Sequence, residues 1–248
     1  MPADAPIKVI LLFQRAPELS ATQFQEEWTP WTPADEDDAG SFADTAPGLT
    51  RYHRNTPVNA EMPITDARTG ALDVIEELWF ESPESARAFL SAAATQERLW
   101  PQRRSHLRPG PIGMLAGEPD VAWEKPARPA EDAVKLLMVS ARREAMTREE
   151  SARYWRHHHW PLVLAGPREL RGQRVEYLPA SVEPFPTFAE APFDACLSVH
   201  FDSFSVMMKE RSGPYYDEVL RPDEPRFADS SRASGIMANE QVVFVRQS

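Results

Sequence analysis

Glu77 stands inside the apolar run Ala71 to Phe80, two residues before Trp79, and His200 stands in a similar run that ends at Phe201. Alternate side chains of a strand point to opposite faces, so Val74, Leu78 and Phe80 should pack one way while Asp73, Ile75, Glu77 and Trp79 point the other. The second run divides alike, with Ala195, Leu197, Val199 and Phe201 against Asp194, Cys196, Ser198 and His200. The polar set of each run is too polar for a plain core and is expected to face a barrel interior. A carboxyl such as Glu77 in a partly apolar cavity should have its charged form disfavoured, which raises its pKa toward general acid or base work, unless an arginine pairs with it. Histidine ordinarily titrates where a proton can be exchanged with a phenol or enol, which makes His200 the second candidate. Ser198 lies between them in the pocket-facing set, and Trp79 and Trp123 offer faces on which a flat ring can stack. Glu76 falls on the opposite, helix-facing side and is expected near a sheet edge. Cys196 sits in no nucleophile motif and reads as packing.

Three further groups carry less. His157-His158-His159 is no metal site, because adjacent helical residues point about 100° apart and cannot converge on one ion. Tyr52 and His53, in Arg51-Tyr52-His53-Arg54, must face opposite sides of a strand, so one of the two can enter a pocket; the segment aligned with them, Arg171-Gly172-Gln173, is too different to say which. His106 is a weaker candidate. The sequence contains no G-x-G-x-x-G, no P-loop, no G-x-S-x-G elbow and no Cys/His zinc spacing, so nucleotide and zinc chemistry are disfavoured.

The elements that must position these residues come in two copies. Lys8-Val9-Ile10-Leu11-Leu12-Phe13 matches Lys135-Leu136-Leu137-Met138-Val139-Ser140 at an offset of 127 residues, and Trp28 matches Trp155 at the same offset. Further on the offset becomes 121, where Leu72 to Ser82 lies against Phe193 to Ser203. Repeats of this kind set the fold, so they outrank single motifs. Each copy reads strand, helix, strand, long loop, strand, helix, irregular segment, strand. Ser82 ahead of Pro83 opens one helix, and Thr147 with Glu150 forms a capping box ahead of another that runs to Leu164. The last strand is expected over Ile236 to Val245. A βαββαβ order gives a four-stranded antiparallel sheet with both helices on one face, the ferredoxin-like α+β module. Its other face is bare, and two sheets packed face to face would cover both, with fusion making the pairing intramolecular. The expected division is a first module over 1–121, a linker over 122–133 rich in proline and charge, and a second module over 134–248.

Composition bounds the rest. The 248 residues, 42% of them apolar, can bury one large core or two of ordinary size, and 24 prolines mark long connections. One cysteine excludes an internal disulfide, and the start of the chain lacks a secretion signal, so a cytoplasmic location is expected. No apolar run is long enough to span a bilayer. A net charge of -11 speaks against nucleic acid as a partner, and the acidic run Asp35-Glu36-Asp37-Asp38 reads as a solvated loop.

With the motifs in place, the sequence resembles the EthD family of dimeric α+β barrels. An aromatic followed by Trp, a His four residues on and then Pro-Leu is similar to Tyr154-Trp155, His159 and Pro161-Leu162; Asp followed by Glu-Leu-Trp-Phe-Asp-Ser is similar to Asp73 and Glu77-Leu78-Trp79-Phe80-Glu81-Ser82; a late Asp-Glu, Phe, Asp pattern is similar to Asp223-Glu224, Phe227 and Asp229. Each copy keeps part of the pattern: Thr32 replaces the helix histidine, Gln102 stands opposite Asp223, Ser198 replaces the strand glutamate and His200 the tryptophan. Such splitting implies one working pocket or two unequal ones. The resemblance singles out His159 among the three histidines as catalytic, with His158 next if the register shifts by one, and places Tyr52 and Trp155 among substrate contacts.

The resemblance implies a cofactor-independent enzyme acting on an aromatic or polyketide-like small molecule by proton transfer, a cyclase, dehydratase, decarboxylase or other lyase, with Glu77, His159 and His200 as the proton shuttle. Trp79, Tyr52, His53, Trp155, Ser198 and His158 would hold the substrate. A cofactor-free monooxygenase of a phenolic substrate and a non-catalytic binding barrel are the alternatives. No cofactor or metal is expected, though haem stays open because a single histidine such as His159 or His200 can ligate it. The expected assembly is a pseudo-dimer within one chain, with room for a further homodimer.

Overall fold

A computed structural model describes residues 5–28, 46–58, 64–65, 72–92, 105–124, 132–167 and 172–246. Asp35 to Asp38, Thr32, Gln102 and the middle of the expected linker lie outside the described residues.

The first copy runs β1 (Ile7–Phe13), α1 (Ala21–Glu27), β2 (Leu49–Pro57), a two-residue β3 (Ile64–Thr65), β4 (Val74–Phe80), α2 (Pro83–Ser91), β5 (Ile112–Gly117) and β6 (Asp120–Glu124). The second runs β7 (Val134–Arg142), α3 (Arg148–Tyr154), α4 (Trp160–Ala165), β8 (Arg174–Pro179), β9 (Phe188–Glu190), β10 (Ala195–Phe201), α5 (Phe204–Arg211), α6 (Arg221–Asp223) and β11 (Ala228–Val245). Helix starts follow the sequence: Ser82 caps α2 with Pro83 in its first turn, and Thr147 and Glu150 satisfy each other's backbone N–H groups at the start of α3.

Each copy supplies a four-stranded antiparallel sheet, ordered β2-β4-β1-β5 and β8-β10-β7-β11. The long strand β11 pairs with β7 through its first half and with β2 of the other copy through its second. At the opposite seam β5 pairs with β1 while β6, three residues on, crosses to β8. Two ferredoxin-like modules thereby close into an intramolecular α+β barrel. Glu124, the end of β6, reaches into the segment between the copies.

Parity divides the strands as expected. Ile7, Val9, Leu11, Val74, Leu78 and Phe80 join Phe24, Trp28 and Phe89 in a core beneath the helices of the first copy, and Leu136, Val199 and Phe201 join Trp155 and Trp160 in the second. Ile10, Leu12, Ile75, Leu137, Val139, Cys196 and Ile236 form a third core inside the barrel. Glu76 departs from the expectation of a sheet edge: β4 is paired on both sides, and Glu76 lies opposite Arg54 of β2, buried on the helix side. The relevant partner of Arg51 to Arg54 is also different from the aligned 171–173. His53 pairs with Glu77 as Glu176 pairs with Ser198, so β8 residues Arg174 and Glu176 are the counterparts of Arg51 and His53.

One brace repeats in both copies. Asp73 accepts the backbone N–H and guanidinium of Arg15, whose Nε donates to Leu19; Asp194 does the same for Arg142, whose Nε donates to Met146. Arg148 adds a further bond to Asp194 at 2.7 Å. Burial alone would raise the Asp194 carboxyl; the hydrogen bonds from Arg148 and the Arg142 backbone outweigh it and hold the pKa below its ordinary value. Asp194→Ala strands the Arg142 amide and two guanidinium contacts, so urea unfolding should lose about 1–3 kcal/mol at neutral pH. A depressed carboxylate stabilises the fold above its unfolded pKa of about 4 and loses that contribution as pH falls through the folded value. Wild type and variant should therefore converge on acidification below about pH 4, and a gap that persists in acid would show the brace is not ionic.

Candidate functional site

The polar residues of the barrel interior form one ionic network. Glu77, with no solvent exposure, meets Lys8 at 2.5 Å and also binds Lys135 of the other copy. Lys8 continues to Glu176, which accepts from Arg174 at 2.9 Å, and Lys135 continues to Glu240 at 2.5 Å. Asn55 donates to the same Glu77 oxygen as Lys135. Glu240 receives His53 Nδ1 at 2.8 Å and His200 Nε2 at 3.0 Å, so one carboxylate from β11 orients a histidine from each copy. A carboxylate only accepts, so these ring nitrogens carry the protons. A cavity of about 90 Å³ opens among Lys8, His53, Trp79, Lys135, Ser198 and His200.

Electrostatics here run against the sequence expectation for Glu77. Burial pushes its carboxyl up, as expected, but the ammonium groups of Lys135 and Lys8 outweigh burial and hold it well below the usual carboxylate range. Glu240 is held low in the same way, burial being overcome by His200, His53 and Lys135. Lys8 is raised: burial lowers it, and the attraction of Glu77 and Glu176 more than compensates. Glu77 is therefore a fixed anion rather than a poised general base. His53, Glu77 and Glu240 bring ligand atoms within 4.8 Å of one another, a spacing that could hold a metal ion. Lys135 already bonds both carboxylates, so the chain itself supplies the cation.

The second cavity lies on the other side of the second sheet, beneath the helices, and measures about 140 Å³. Its walls are Trp123, Trp155, Trp160, Leu136, Val199 and Tyr216, with His159 and Glu210 among them. The helix carrying His159 is widened: between α3 and α4 a π turn spans Trp155–His159, closed by the Trp160 N–H to the Trp155 carbonyl. Pro161 lacks an N–H for the carbonyl four residues earlier and would collide with it, which accounts for the wide turn. A second π turn, Tyr216–Leu220, precedes Pro222 in the same way. His159 is buried and donates through Nδ1 to Asp223 at 3.0 Å; Asp223 also accepts from the Tyr154 hydroxyl at 2.8 Å. With Nδ1–H fixed on Asp223, Nε2 is the nitrogen left to exchange a proton. Burial raises the Glu210 carboxyl in the same cavity, against the opposing pull of Arg211. Trp155 stacks on Tyr177 at 4.1 Å, which holds one wall flat.

The structure thus distributes the expected residues between two places. Glu77, His200, His53, Trp79 and Ser198 meet in the barrel interior; His159 and Trp155 border the helix-side cavity. A single shuttle of Glu77, His159 and His200 does not form, because His200 and its neighbours Val199 and Phe201 face opposite sides of β10. Tyr52 is buried in the first copy's helix-side core, since His53 takes the inward position. His158 is exposed and packs tilted against Tyr154, ring centres 4.8 Å apart, outside both cavities. His106 meets Glu27 at 2.8 Å, away from both. Lys8, Lys135, Glu176, Glu240, Asp223 and Glu210 were missed as site residues. A lysine heading each matched strand at the 127-residue offset was a readable signal for the first two.

Haem, left open by the sequence, would need more room at either histidine than the cavities now offer. Pockets for drug-sized ligands run from roughly 300 Å³, and His159 borders about 140 Å³ and His200 about 90 Å³.

Fold and site together define a fused α+β barrel built from two copies of one module, of the dimeric α+β barrel class. Within it, residues 143–231 match the model of the EthD domain. A search of curated proteins finds no match. Among solved structures, a protein described as anthrone oxidase-like superposes with a TM-score of 0.62 at 12% identity, covering 96% of this chain and 94% of its own. A putative monooxygenase from Fusobacterium nucleatum superposes with a TM-score of 0.56 at 11% identity, covering 99% of this chain and 98% of its own. At these identities the likeness is one of fold.

Lys135→Ala would leave Glu77 buried with one ammonium in place of two. Removing one partner of a buried ion pair costs about 3–5 kcal/mol, so the urea midpoint at pH 7 should fall accordingly. The depressed carboxylates Glu77 and Glu240 stabilise the fold above an unfolded pKa of about 4.3 and lose that contribution as pH drops through their folded values. Wild-type stability should therefore decline below about pH 4 and less steeply in Lys135→Ala; parallel pH profiles would contradict the network.

Proposed function

We propose that this protein is a cofactor-independent enzyme that transfers protons on a small aromatic molecule of one or two rings, using the helix-side cavity of the second module. The observation that carries this reading is the buried His159–Asp223 pair bordering an apolar, aromatic-walled cavity. Asp223 fixes the tautomer, so His159 Nε2 can take the proton of a phenol or an activated C–H, and the carboxylate then steadies the imidazolium. Glu210, with its carboxyl raised by burial, is suited to return a proton at a second position, which is what cyclisation, dehydration or decarboxylation requires. The indole walls stack on the ring and keep water out. The cavity volume favours small phenols over extended polyketides. The first copy, over 1–121, completes the barrel, 134–248 supplies most of the pocket, and 122–133 joins them and adds Trp123 to its wall.

A second reading is a cofactor-free monooxygenase, in which the same base makes a phenolate that reacts with dioxygen. The names of the two neighbours, a monooxygenase and an anthrone oxidase-like protein, favour keeping it.

A panel of phenols and naphthols, followed by product mass and oxygen uptake, separates these readings. His159→Ala should lower kcat/KM by about 10²–10⁴, Asp223→Asn less, and exposed His158→Ala not at all. Turnover with stoichiometric oxygen uptake selects the second reading. Ligand binding without turnover, equal in wild type and His159→Ala, would leave a binding barrel in place of an enzyme.

A further inference from the structure

All three carboxylates in the barrel interior are ion-paired. Glu77 takes Lys8 on Oε1 and Lys135 with Asn55 on Oε2; Glu176 takes Lys8 on Oε1 and Arg174 on Oε2; Glu240 takes Lys135 with His53 on Oε1 and His200 on Oε2. The donors are not exhausted. An ammonium carries three N–H groups, and Lys8 and Lys135 each meet two carboxylates. Lys8 also lies 4.4 Å from the centre of the Trp79 ring. Arg51, exposed at the mouth of the same cavity, has no hydrogen bond or ion pair among the described residues.

A cavity whose carboxylates are all paired with cations, and whose two lysines and Arg51 keep N–H groups to spare, is complementary to an anion. Its metal-like trio of His53, Glu77 and Glu240 does not compete, since Lys135 holds the cation position. The volume of about 90 Å³ is small and suits an inorganic oxyanion or a one- or two-carbon carboxylate. We propose that the barrel interior is a second binding site, separate from the helix-side cavity, for one compact oxyanion held by Arg51 at the mouth and by the spare protons of Lys8 and Lys135 within. Arg174, the counterpart of Arg51 on β8, spends its guanidinium on Glu176 and Glu124, so the site is single and not repeated by the pseudo-twofold.

The test uses the full chain and inorganic phosphate, with calorimetry at constant ionic strength set by chloride. One phosphate should bind per chain. Arg51→Gln should weaken it by roughly tenfold or more, as expected for loss of a charged hydrogen bond, and Arg51→Lys, which keeps the charge but not the fork, should fall between. Arg153→Gln, a surface arginine 60% exposed, should bind as wild type does. Trp79 reports location: phosphate at Lys8 should change its fluorescence, and Trp79→Phe should abolish that change while calorimetric binding persists. The Arg51 side chain has no partner to lose among the described residues, so the variant should keep the wild-type circular dichroism. Absence of saturable binding, equal affinity in Arg51→Gln, or stabilisation by zinc instead of phosphate would overturn the proposal.

Discussion

The barrel depends on one buried carboxylate. Glu77 has no access to water and is held as an anion by Lys8 from its own copy and Lys135 from the other. Withdrawing these charges from water costs several kcal/mol per ion, so the network adds little net stability over an apolar core of the same shape. Its effect is on specificity. Strand side chains alternate, and a one-residue slip at either seam would turn Lys8, Glu176 or Glu240 outward and leave Glu77 unpaired. The apolar residues on either side, Ile10, Ile75 and Leu137, would tolerate alternative packings far better. The ions choose the register in which two similar sheets meet.

Fusion permits a solution that two identical chains could not reach. In a symmetric dimer every interior residue would be present twice, and a second glutamate at the place of Ser198 would meet the same two lysines. Here the lysines are retained in both copies, while the balancing carboxylates moved: Ser198 stands opposite the Glu77 position, and Glu176 occupies the counterpart of His53. Trp79 likewise corresponds to His200, which Glu240 orients. The helix sides diverged too. Trp28 packs within 5.0 Å of Phe13 and Phe24 and fills the first copy, whereas its counterpart Trp155 leans on Tyr177 and leaves the second copy a cavity.

Much of this was legible. A period of two told which face each strand residue takes, and the repeat told that the faces meet. Parity names a face and not a partner, however. The lysines that depress Glu77 come from elsewhere in the fold, Lys8 69 positions and Lys135 58 positions away in the chain, so the expectation of a raised carboxyl took burial into account without the charges that oppose it. Tyr52 was placed by resemblance, but the His53–Glu77 register turns it to the helix side. The alignment of Arg51 with 171 slipped because insertions changed the offset between strands. His159 could be picked from the pattern around Pro161, but its partner Asp223 lies 64 residues on, joined only when two proline-widened helices cross the same sheet.

That a single sheet separates the two cavities explains how both can exist. The interior is strongly ionic, and a histidine placed in it is bound into the charge balance, as His53 and His200 are by Glu240. The base of the proposed reaction lies outside that balance. His159 has one carboxylate at Nδ1 and an apolar cavity beside it, with Leu136 and Val199 shielding it from the residues on the reverse of the same strands. Adjacent residues of β10 therefore serve opposite ends: Val199 keeps one pocket dry, and His200 keeps the other balanced. The alternation that fixes the barrel's register is also what separates its two cavities from each other.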